Sequence, residues 1–216
     1  MLGMNEFSVL QANLTTLKSI FRPASPTDDQ TLFRGRFKQL RGVMSGLAER
    51  GQHLLIYGER GVGKTSLGYM AKALFDSSVS VHKLSVRIQC ADGQSFTAVW
   101  QDFYRATRAA VDAQGKEFRD FLSASLGYAD ELLNYPNADE LTATDVHRAL
   151  SALSAQVELL IIIDEFDRLG GWDETTPFGD LIKGLLDDRM PVTLVIVGVA
   201  DSIDGLIKSH ASTPHS

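Results

Sequence analysis

Nine consecutive residues, Gly58-Glu59-Arg60-Gly61-Val62-Gly63-Lys64-Thr65-Ser66, follow the pattern G-x-x-x-x-G-K-[ST]. The chemistry that pattern serves is the cradling of a chain of phosphates. Gly58, Gly61 and Gly63 let the backbone turn tightly enough to aim its N–H groups at phosphate oxygens. Lys64 carries a charge that reaches the β- and γ-phosphates, and the Thr65 hydroxyl is a hard oxygen ligand for Mg²⁺. Glu59, Arg60, Val62 and Ser66 complete the candidate phosphate contacts. A chance match in a chain of this composition is on the order of 1 in 100. The competing reading is a glycine-rich turn that caps an ordinary helix.

A second group of residues could act on the same phosphates. Leu159-Leu160-Ile161-Ile162-Ile163 is an unbroken apolar run that ends in Asp164-Glu165. Such a run suits a strand buried on both faces, and in an open α/β sheet the ligand site lies at the carboxyl ends of the strands. Asp164 is then placed to hold Mg²⁺, directly or through water. Glu165 is placed to polarise the water that attacks a γ-phosphate. The competing reading is a solvated loop start. Asp167 continues the acidic cluster and reads as a surface residue.

The elements needed to position these residues are legible from periodicity. His53–Tyr57 is a short apolar run closed by Gly58, a buried strand leading into the loop. From Lys64 onward, Leu67, Met70, Ala71, Leu74 and Phe75 recur at helical spacing. Val79–Cys90 alternates loosely, as a strand region does. Phe96, Val99, Trp100, Phe103 and Thr107 mark another helix. So do Val146, Ala149, Leu150 and Leu153, with Thr142 as a cap, and Phe178, Leu181, Ile182, Leu185 and Leu186. Val192–Val197 is one more buried strand, and residues 115–137 give no clear period. Upstream, Phe37, Leu40, Met44, Leu47 and Ala48 mark a helix ended by Gly51. Phe7, Leu10, Leu14, Leu17 and Phe21 form an amphipathic arm, broken by Pro23 and Pro26. Strands alternating with helices predict an α/β fold: a three-layer sandwich around a mostly parallel P-loop sheet. The division expected is an arm over 1–26 and a core over 27–216.

Composition narrows the function classes. The chain has 216 residues, 44% of them apolar, so it can bury a core. Its 21 basic and 27 acidic residues give a net charge of −6, which argues against wrapping nucleic acid over the whole surface. Residues 18–41 are locally basic, with Lys18, Arg22, Arg34, Arg36, Lys38 and Arg41 against Asp28 and Asp29. A solvated helix face is the default reading of that segment, and contact with nucleic acid or an acidic partner the alternative. No run is long enough to span a bilayer, and no signal peptide is recognisable. The single cysteine, Cys90, fits a reducing cytoplasm, and the scattered His53, His82, His147, His210 and His215 lack metal spacing.

With both motifs in hand, the chain resembles the AAA+ ATPases, in the initiator-like branch that borders on the STAND signalling ATPases. The resemblance is carried by Phe33-Arg34-Gly35-Arg36, the loop Gly58–Ser66, Ile162-Ile163-Asp164-Glu165-Phe166-Asp167 and the strand from Thr193 to Asp201. It implies ATP and Mg²⁺ as cofactors, and hydrolysis that drives conformational change or assembly. It also implies Arg34, Gly35 and Arg36 as contacts near the adenine, and a γ-phosphate sensor after the last strand. Asp201 is the nearest polar residue there, but an acid repels phosphate, and capping a helix over Ser202–Lys208 is its other reading. The family's helical lid and its arginine have no counterpart after Arg189, so slow turnover is expected. The expected partners are a second copy or another protein, met through the N-terminal arm. Phe96, Trp100 and Phe103 could suggest a base-stacking platform, but their helical spacing assigns them to the core.

Overall fold

The computed structural model describes residues 37–49, 51–78, 82–126 and 139–199. The elements run α1 (Phe37–Ala48), β1 (Leu54–Tyr57), α2 (Lys64–Ser77), β2 (Lys83–Gln89), α3 (Phe96–Ala113), α4 (Lys116–Leu126), α5 (Ala143–Ser154), β3 (Glu158–Asp164), a 3₁₀ turn (Phe166–Arg168), α6 (Trp172–Asp187) and β4 (Val192–Gly198). The arm over 1–26, Arg34 to Arg36 and Asp201 lie outside the described residues. No helix among those described is long and apolar enough to cross a membrane.

The four strands are parallel and lie in the order β1-β4-β3-β2. From β1 the chain crosses to the far edge of the sheet, then returns inward through β3 to β4. Right-handed crossovers put helices on opposite faces when the direction of travel reverses. Accordingly α2, with α1 beside it, covers one face, and α3, α5 and α6 cover the other. The result is the expected three-layer α/β sandwich of a P-loop fold.

The two central strands are apolar on both faces for this reason. Leu159, Ile161, Ile163, Leu194 and Ile196 join one core with Trp100, Phe103 and Phe178. Leu160, Ile162, Val195 and Val197 join the other with Leu67, Met70, Ala71 and Leu74. Phe96, Trp100 and Phe103 are at most 3% exposed, so they are core residues, as their spacing implies. β2, at the edge, alternates instead: Leu84, Val86 and Ile88 are buried, while Ser85, Arg87 and Gln89 face the side of α2. Thr142 caps α5 through a reciprocal capping box with Asp145, and those hydrogen bonds hold the Asp145 carboxyl below its ordinary range. α4 falls where the sequence gave no clear period.

Candidate functional site

The loop after β1 has the backbone its glycines were chosen for. Gly58, Gly61 and Gly63 have φ of 150°, 83° and 79°. The left-handed conformation costs any residue with a Cβ roughly 1–2 kcal/mol. Gly63 immediately precedes α2, so the free N–H groups of the first helical turn open onto the loop. Lys64 Nζ donates to the carbonyls of Gly58, at 3.0 Å, and Glu59, at 2.7 Å. The ammonium is thereby held over the loop.

The acids arrive from the middle of the sheet. Asp164 ends β3 and is 2% exposed. Its Oδ1 accepts the Glu165 N–H at 2.9 Å and faces the Thr65 hydroxyl at 3.4 Å. Its Oδ2 accepts Arg87 Nη2 at 2.6 Å. Glu165 follows with φ 55° and ψ 40°, a left-handed conformation rare for a side-chain-bearing residue. Packing maintains this strain. Phe166 is fully buried, edge-on to Phe178 with ring centroids 5.1 Å apart, and the Arg168 N–H donates to the Glu165 carbonyl at 2.9 Å. The turn therefore swings the Glu165 side chain out of the sheet. Its Oε2 accepts from Gln89 Nε2 at 2.9 Å and lies 3.1 Å from Arg168 Nε.

Lys64, Thr65, Asp164 and Glu165, assigned separately from two motifs, line one cleft of about 250 Å³. Asp167 lines it too. Its side chain is 14% exposed and pairs with Arg60 at 3.3 Å, tying the phosphate loop to the turn after β3. Asp167, expected at the surface, thus lies at the cleft in a pair with the exposed Arg60. Hard oxygen donors on Thr65 and Asp164 suit Mg²⁺. Two adjacent ligands of an octahedral Mg²⁺ stand about 3 Å apart, and these two stand at 3.4 Å. Among the described residues no cluster of three His, Cys, Asp or Glu side chains could hold a metal alone, and water or phosphate oxygens would complete an octahedral shell.

Three residues that the motifs do not name also reach the acids: Arg87, Gln89 and Arg168. The first two could have been found from the alternation Ser85, Arg87, Gln89 on β2, whose polar face meets the strand carrying the acids. Arg168 has no such signal, because its place depends on the 3₁₀ turn. Cys90 is no nucleophile: burial first, then the nearby Asp164 and Asp102 carboxylates, push its thiol up to about 12.

A solved structure of the Aeropyrum pernix ORC1 protein in complex with DNA is similar at 20% identity, with a TM-score of 0.45. The similarity covers 84% of this chain and 44% of that one, so the chain spans less than half of that protein's length. No curated protein matches the chain. The model of one family, described as an AAA domain, matches residues 48–207, which take in the phosphate loop, both acids and all four strands. By this match the chain belongs to the AAA domain family.

Proposed function

We propose that the chain is an initiator-like AAA+ ATPase, which binds ATP with Mg²⁺ in the cleft and hydrolyses it to drive a conformational change or an assembly step. The observation that carries this reading is the meeting of Lys64, Thr65, Asp164 and Glu165 in one cleft. Lys64 binds and neutralises the β- and γ-phosphates. Thr65 and Asp164 hold the cation, whose chemistry is to offset charge on the transferred phosphoryl group. Glu165 orients the attacking water and accepts its proton. Arg60 and Arg168 add positive charge at the rim.

The restraint on Glu165 favours a second reading, a nucleotide-gated interaction switch. Gln89 and Arg168 hold the carboxylate by one oxygen, so bound ATP would persist until something releases it. Intrinsic turnover below about one per second fits both readings. Glu165→Gln separates binding from chemistry: it should bind ATP as the parent does and lose turnover, because the amide keeps the shape without the base. Equal turnover in parent and variant would remove Glu165 from the mechanism. Turnover that climbs with protein concentration, or on adding duplex DNA, supports the motor or DNA-associated reading. Tight binding with almost no turnover supports the switch.

A further inference from the structure

The edge strand β2 carries an unusual companion for the acid at the end of β3. Arg87 lies one alternation before the strand end, opposite Ile162, while Gln89 is opposite Asp164. From there its guanidinium reaches Asp164 Oδ2 at 2.6 Å, with Cζ 4.7 Å from the centre of the Tyr69 ring. The Arg87 side chain is 21% exposed and that of Asp164 3%, so the pair is largely shielded from water.

We propose that Arg87 is a positioning residue for the cation: it fixes Asp164 by one oxygen and cancels its charge, so that a divalent cation is held there only together with nucleotide phosphates. The idea rests on the ATP reading above. A carboxylate with both oxygens free can chelate a cation by itself, as in calcium sites. Asp164 presents Oδ1 toward Thr65, while its Oδ2 carries the short bond to Arg87, so both oxygens are already engaged. A neutral pair beside one hydroxyl attracts a free cation weakly, and the polyphosphate supplies the missing negative charge. Lys64 adds a further positive charge to the same cleft and opposes cation entry in the absence of phosphate.

The test is Mn²⁺ binding to the nucleotide-free full chain, followed by electron paramagnetic resonance of the free ion. Arg87→Gln should raise Mn²⁺ affinity at least about tenfold, because it uncovers a shielded carboxylate. Arg87→Lys, which keeps the charge, should bind as weakly as the parent. In the double variant Arg87→Gln, Asp164→Asn the gain should vanish. A folded Arg87→Gln with parental Mn²⁺ affinity overturns the proposal, and so does an Arg87→Lys that gains as much as Arg87→Gln. Should Arg87→Gln fail to fold, the parent and Asp164→Asn still decide. They should bind Mn²⁺ equally weakly, and tighter binding by the parent refutes the idea. All arms are read without nucleotide, so a failure of the ATP reading would show in nucleotide titrations and not here.

Discussion

Gln89 and Glu165 meet across the ends of two neighbouring parallel strands, the amide of one donating to the carboxylate of the other at 2.9 Å. The contact ties the proposed water-activating group to the edge strand and occupies one of its carboxylate oxygens. Gln89→Ala should therefore raise ATP turnover by roughly tenfold, the low end of what a hydrogen bond to a charged group is worth. ATP affinity should stay unchanged. Steady-state phosphate release beside a binding isotherm checks this. A fall in turnover would mean that Gln89 holds Glu165 in its working position.

The phosphate loop, the acidic strand end and the strand–helix alternation were legible because each rests on local pattern. Gly58 to Thr65 is contiguous, and Leu159 to Glu165 announces its burial by composition. Pairing was not legible. Nothing local says that β2 crosses to the far edge of the sheet, which is what brings Arg87 and Gln89 against Asp164 and Glu165. Nor does the sequence show that Glu165 adopts a left-handed backbone, since that strain is maintained by Phe166 packing on Phe178.

Close packing between α5 and α6 gives a stability prediction. A Cβ on Gly184 would stand 2.9 Å from His147 Cδ2, and the same imidazole pairs with Asp188 at 3.1 Å. Gly184→Ala should cost about 1 kcal/mol, because the ring must swing aside and give up its pair, an overpacking cost partly offset by better helix propensity. His147→Ala in the same background should recover most of the loss. Denaturant melts of the single and double variants measure both.

His53 sets a pH dependence. Its Nδ1 accepts the Leu194 N–H at 3.1 Å, its Nε2 has no partner among the described residues, and burial lowers its pKa from 6.5 to about 4. The unfolded chain therefore binds this proton more readily than the folded one. The stability contribution is complete above pH 6.5 and is lost as pH falls towards 4, at most about 3 kcal/mol. His53→Asn keeps an acceptor near the Nδ1 position and does not titrate there. Melts at pH 7 and pH 5 should show a smaller acid loss in the variant, and equal losses would exclude His53 as the source.

The central claim is that Gly58–Ser66 binds a nucleotide polyphosphate through Lys64. Its most direct test is calorimetric titration of ATP with Mg²⁺ into the parent chain and into Lys64→Ala, with folding checked by circular dichroism. A charge-assisted hydrogen bond to phosphate is worth about 1.5–3 kcal/mol, so the variant should bind at least about tenfold more weakly. Saturable binding by the parent together with that loss is the expected result. Equal affinity in a folded Lys64→Ala, or no ATP binding by the parent, would contradict the account.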